Sequence, residues 1–176
     1  TEKIVVTGDS EGNVQIINAD SGVVETQIAI GFPIRDVDIQ KSGKFAAVTS
    51  DDDRITLIDL KARKKGFFLE GTKIKFAAFS PNGLQVTTGS GNGMVSLWTL
   101  NSAGQPLESR KHIGEILALE FSPNGFYIVT GGVDGSSGLF TARTEVYTPE
   151  TFSLSFNETF DGYSESAPPC AASWHN

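Results

Sequence analysis

Cysteine is almost missing from this chain. Cys170 stands alone, so no disulfide can form within it, and the fold must rest on packing in what reads as a reducing compartment. Histidine is nearly as scarce: His112 and His175 are the full set, which leaves little for acid–base chemistry. No apolar run approaches the ~20 residues of a spanning helix, and no signal peptide opens the chain. Long stretches with helical periodicity are lacking too. Cations are outnumbered, with 14 Lys and Arg against 21 Asp and Glu for a net charge of −7. That balance disfavours nonspecific contact with nucleic acid or membrane, which are themselves anionic. The expected setting is intracellular, cytoplasmic or nuclear. A first residue Thr1 rather than Met reads as a processed or excerpted piece.

Glycine and phenylalanine are plentiful, 19 and 12 residues, as expected of many tight turns between short packed strands. With 176 residues and 39% hydrophobic content, a single domain can bury a sizeable core. The organising feature is an internal repeat. His112 to Phe140 reads HIGEILALEFSPNGFYIVTGGVDGSSGLF; an earlier copy, Lys73 to Trp98, sets Gly83, Thr88, Asn92-Gly93 and Trp98 at the offsets of Gly125, Thr130, Asp134-Gly135 and Phe140. The turn positions Gly12, Asp53, Gly93 and Gly135 extend this register to four units, one about every 40 residues.

Each unit alternates short apolar runs with turn residues, which predicts antiparallel strands A to D joined by tight hairpins. Strand A falls at Ile34–Ile39, Ile74–Phe79 and Ile116–Phe121. Strand B falls at Ile4–Thr7, Phe45–Thr49, Leu84–Thr88 and Phe126–Thr130, and strand C at Val14–Ile17, Ile55–Ile58, Val95–Trp98 and Ser137–Phe140. Strand D is less sharply marked, near Val24–Ile28, Gly66–Leu69, Leu107–Arg110 and Phe152–Phe156. Pro81-Asn82-Gly83 and Pro123-Asn124-Gly125 supply a fixed φ followed by residues tolerant of positive φ, as a hairpin turn requires.

These units resemble the WD-repeat (Trp-Asp repeat) β-propeller family over nearly the whole chain, most specifically in the third and fourth. The resemblance implies an all-β fold of four-stranded antiparallel blades: a partial first blade over 1–30, then 31–70, 71–111 and 112–166, with the next blade starting at 167–176. That makes about four blades' worth, cut out of phase. It reads as part of a larger, seven-bladed propeller, with a closed four-blade ring as the other arrangement. In the family a His, a strand-B Ser or Thr, a turn Asp and a strand-C Trp form a buried hydrogen-bonded tetrad. Here His112, Thr130 and Asp134 match three of those positions, with Phe140 in place of Trp. The third unit keeps Thr88 and Trp98, with Glu70 and Asn92 at the His and Asp positions. The function implied is a noncatalytic protein–protein interaction scaffold within a larger assembly, with other proteins as partners and neither cofactor nor metal. Its partner-binding face would carry the D-to-A turns and present Phe32, Arg35, Lys73, Lys75 and Glu115.

Sharper chemical readings compete with this one at several places. His112, Thr130 and Asp134 contain the elements of a hydrolytic triad, yet the repeat register already assigns all three to the structural tetrad. Gly89 to Gly93 matches neither glycine-rich phosphate motif, since no helix follows it. Asp51-Asp52-Asp53 lacks the downstream bidentate Glu of a calcium loop. Lys61, Arg63, Lys64 and Lys65, followed by Phe67 and Phe68, form the one basic cluster. It supports the alternative of an RNA- or ribonucleoprotein-binding propeller subunit, against a solvated C-to-D hairpin. From Glu145 to Pro168 the period is broken by an acidic stretch without Lys or Arg, either a surface loop or a docking loop for a basic partner.

Overall fold

The structure is a computed structural model that describes residues 3–100 and 106–142. A three-stranded sheet holds β1 (Ile4–Gly8), β2 (Asn13–Asn18) and β3 (Val24–Ala29). A four-stranded sheet follows: β4 (Ile34–Ile39), β5 (Phe45–Ser50), β6 (Arg54–Asp59) and β7 (Lys64–Glu70). The next is β8 (Ile74–Phe79), β9 (Gln85–Ser90), β10 (Met94–Thr99) and β11 (Glu108–Lys111). The last is β12 (Ile116–Phe121), β13 (Tyr127–Gly132) and β14 (Ser137–Thr141). Strands follow chain order within every sheet and pair antiparallel throughout. The all-β architecture of repeated antiparallel blades is therefore the observed one. The strand expected near Phe152–Phe156, and the acidic stretch around it, lie outside the described residues. None of the described residues forms a helix that could cross a membrane.

Period-2 alternation gives each sheet two apolar faces, and the sheets stack on them. Val14, Ile16 and Ile28 meet Ala46, Val48 and Ile58 at the first junction. On the opposite face of the second sheet, Ala47, Ile55, Leu57 and Leu69 meet Ala77, Phe79, Val86 and Trp98. Ala78 and Leu97 then meet Phe121, Ile128 and Ala142. Each fully buried Ile, Leu or Phe contributes roughly 1.5–3 kcal/mol, so these three seams carry the fold.

The second seam has a polar component that composition does not reveal. Asp36 and Asp38 on β4 accept backbone N–H groups of β8: Ala77 N to Asp36 Oδ2 at 3.1 Å and Phe79 N to Asp38 Oδ2 at 2.6 Å. Thr49 Oγ1 donates to the Lys75 carbonyl at 3.0 Å. Side chains of β4 and β5 thus bond to the backbone of the next blade's innermost strand, satisfying groups that the sheet ladder leaves open.

Candidate functional site

The turns between strands B and C and those between strands D and A come together at one end of the sheets. Ile30 N donates to Gly12 O (2.7 Å), Gly71 N to Asp53 O (3.1 Å) and His112 N to Gly93 O (2.8 Å). This close approach requires glycine at Gly93: its φ is 83°, and a Cβ there would lie 2.5 Å from the His112 carbonyl. Asp53 occupies the same site in the second unit with φ 62°, and its Oδ1 accepts Lys73 N at 2.5 Å.

A repeated irregularity builds the charged part of this face. The A–B ladder slips between Ile34 and Asp36, between Ile74 and Phe76, and between Ile116 and Ala118. The residues bulged out are Arg35, Lys75 and Leu117, which are equivalent in the three units. A bulge re-aims its side chain off the regular pleat, and here it sends two cations toward the turns. Arg35 pairs with Asp51 and Lys75 with Glu115, the latter bridging two blades. Hydrogen bonding from Arg35 holds the Asp51 carboxyl below its ordinary range, helped by the charge of Lys75. The row Arg35, Asp51, Lys75, Glu115 therefore alternates in sign across blades. Phe32 stands beside it, 47% exposed, and Lys73 is exposed with φ 54°. Of the five residues expected to face a partner, Arg35, Lys75 and Glu115 thus sit within ion pairs, and Phe32 and Lys73 project to solvent. Sequence reading passed over Ile113 (96% exposed), Leu117 and Val133, large apolar side chains also exposed at or beside this end. The signal that could have found Leu117 was its register with Arg35 and Lys75.

The three acids of the B-to-C turn are used separately. Asp51 binds Arg35, Asp52 accepts from Ser50 Oγ and the Arg54 N–H, and Asp53 accepts from Lys73. Among the described residues, no three His, Cys, Asp or Glu side chains converge to hold a metal.

Beneath the turns of the last blade lies the histidine network. His112 Nε2 is 2.7 Å from Thr130 Oγ1, and Nδ1 is 3.0 Å from Ser136 Oγ. Ser136 Oγ donates to Asp134 Oδ1 at 2.6 Å. With its proton committed to Asp134, Ser136 acts as acceptor toward Nδ1. In the neutral ring the proton therefore sits on Nδ1, and Nε2 accepts from Thr130. Asp134 was expected to bind His112 directly; instead Ser136 stands between them, because Asp134 is exposed in its turn and also accepts the Ser136 and Ile113 N–H groups. These bonds, led by the Ser136 hydroxyl, hold the Asp134 carboxyl below its ordinary range. Phe140 meets the His112 ring edge-on at 6.3 Å. In the third blade Trp98 Nε1 donates to Thr88 Oγ1 at 3.0 Å. The residue there at the His112 position is Gly71 rather than Glu70, since Gly71 N makes the backbone bond to Asp53 that His112 N makes to Gly93. Glu70 lies on the exposed outer strand and pairs with Arg54.

Comparison with known proteins agrees with this geometry. The WD domain, G-beta repeat, matches residues 64–99 and 104–137. Two stretches of the chain thus match WD repeats. Protein ANTHESIS POMOTING FACTOR 1 of Arabidopsis thaliana is 30% identical over 108 residues, spanning 57% of this chain and 32% of that relative. A chain in a solved structure titled "Crystal Structure of Mitotic Checkpoint Complex" superposes with a TM-score of 0.71 at 21% identity, covering 81% of this chain and 44% of that one. The chain therefore spans about a third of the plant relative's length and less than half of the solved chain's. WD-repeat propellers generally mediate protein–protein interaction within complexes.

Proposed function

We propose that this chain acts as a noncatalytic scaffold segment whose end bearing the D-to-A turns binds a partner protein within a larger assembly. The observation that carries the reading is the repeated strand-A bulge, which turns Arg35, Lys75 and Leu117 out of their sheets beside exposed Phe32, Ile113 and Val133. A rigid row of paired charges next to exposed apolar groups suits a specific contact: the apolar residues supply burial, and the fixed charges supply register. His112, Thr130 and Asp134, which chemistry alone could cast as a hydrolytic triad, are committed to holding the last blade's turn. The RNA-binding alternative rests on Lys61, Arg63, Lys64 and Lys65, which lie away from this end.

The test pairs Phe32→Ala with Lys73→Glu, since both side chains project to solvent while reversal of Arg35 would place two carboxylates together. Quantitative affinity purification should show specific partners lost from the double variant, with the melting temperature unchanged. Retention of every partner by a folded variant would remove this face from consideration.

A further inference from the structure

The outer edge of the second blade carries a second surface that the turn face does not explain. β7 is the last strand of its sheet, with seven residues the longest strand among the described residues, and six of those seven are exposed. Its free edge can be read from the ladder. Gly71 N donates to Asp53 O, so alternation gives the next such pair to Leu69 and Ile55, and Phe68 and Glu70 turn their N–H and C=O groups away from β6. Along this edge Lys61, Arg63, Lys64 and Lys65 are uninterrupted by any acid, in a chain of net charge −7. Phe67 and Phe68 are 39% and 50% exposed. Both rings are braced: Phe67 lies edge-on to Phe45 at 6.1 Å, and the Arg54 guanidinium sits 4.8 Å over Phe68.

Lysines on an edge strand commonly guard against self-pairing. The same lysines repel basic or like edges and admit an acidic one, so the guard is also a selector. This corner already holds a carboxylate, since Arg63 reaches across to Glu25 of the first blade. We propose that the free edge of β7 is a docking strand for an acidic, extended segment of a partner protein. The segment adds beside Phe67–Glu70, bonds to the outward backbone groups of Phe68 and Glu70, and sets its carboxylates against Lys61, Lys64 and Lys65.

The probe is a fluorescently labelled synthetic peptide of alternating glutamate and valine, titrated by anisotropy against the full chain. Its comparators are the same peptide N-methylated along one backbone edge, a lysine–valine counterpart and a single-stranded oligouridylate. Strand addition requires the peptide's N–H groups, so methylation should weaken binding by about tenfold or more, and the lysine peptide should not bind. Lys64→Glu with Lys65→Glu should weaken the acidic peptide by a similar factor, about tenfold, at unchanged melting temperature. Phe32→Ala with Lys73→Glu should leave it unaffected, which separates this edge from the turn face. Equal binding of the methylated peptide, tighter binding of the oligonucleotide, or no binding of the acidic peptide would each overturn the proposal.

Discussion

Gly138 is where the histidine network meets its steric limit. A Cβ at this position would lie 2.6 Å from Thr130 Oγ1, 2.8 Å from Phe140 Cζ and 2.9 Å from His112 Nε2. Two of these three neighbours belong to rings, and Thr130 is buried with its hydroxyl committed to the imidazole, so none yields cheaply. Gly138→Ala should cost roughly 1–3 kcal/mol by overpacking, against ~0.5–1 kcal/mol that alanine ordinarily gains over glycine in a strand. The third blade already contains the alternative solution. Ser96 stands at the Gly138 position, opposite Thr88 as Gly138 is opposite Thr130, and the residue at the His112 position is Gly71. His112→Gly should therefore relieve Gly138→Ala, because Phe140 and Thr130 can then shift into the vacated space. A double-mutant cycle by urea denaturation should give a coupling of ~1–2 kcal/mol, with Gly138→Ala neutral or stabilising in the His112→Gly background. If the two costs simply add to within ~0.5 kcal/mol, Gly138 is not reserved for the imidazole and the argument fails.

Thr88→Val should leave the buried Trp98 indole N–H without its acceptor, lowering stability by ~1–3 kcal/mol; urea denaturation monitored by Trp98 fluorescence checks this. Ser136→Ala should free His112 Nδ1 from its relay, and nitrogen chemical shifts of the ring should show loss of the Nδ1–H preference; an unchanged tautomer would contradict the relay. Burial pushes the Asp38 carboxyl up, so the folded state holds that proton more tightly than the unfolded chain. The associated stability is full below the ordinary 3.8 and is lost as pH rises through the raised value. Asp38→Asn, which keeps an acceptor for Phe79 N, should match or exceed the wild type in melting temperature near neutral pH and lose that advantage in acid. Asp51 is lowered instead, by its bond from Arg35, so its contribution is present above the ordinary value and fades as pH falls. Asp51→Asn should consequently melt below wild type near neutral pH and converge with it in acid.

Much of the architecture was legible because turns and apolar runs recur at one spacing. The strands read at Ile34–Ile39, Ile74–Phe79 and Ile116–Phe121 coincide with β4, β8 and β12. Strand B of the third unit was read at Leu84–Thr88 but runs Gln85–Ser90: Leu84 still belongs to the turn, its N–H bound to Asn82 Oδ1 at 3.0 Å. The site was less legible, since counting residues from a turn cannot see a bulge. Arg35 and Lys75 were named from their nearness to strand A, whereas Leu117 was passed over although it occupies the same bulge. Glu70 was assigned the histidine position by a count one residue short; only the backbone bond from Gly71 to Asp53 fixes the equivalence. Ser136 was invisible because a serine after a turn aspartate is ordinary in sequence, and its interposition depends on where Asp134 points.

The seams show why degenerate repeats can still stack. Apolar positions facing across these junctions are retained in type, Leu57 and Leu97 on one side of the seam and Phe79 and Phe121 on the other. The polar connections differ at every step. Asp36 and Asp38 tie β4 to the backbone of β8, whereas the equivalent side chains of β8 itself are Phe76 and Ala78, which cannot reach across to β12 in that way. The third junction instead has Lys75 reaching Glu115 across the blades. Backbone groups on an innermost strand need some partner, but any nearby acceptor will serve, so selection for packing leaves the identity of that partner free. Polar residues at the bulges and turns can then vary from blade to blade without loss of the stack. This places the individuality of the chain on its turn face and its outer edges, where Arg35, Lys75 and Leu117 differ in charge on one repeated backbone device.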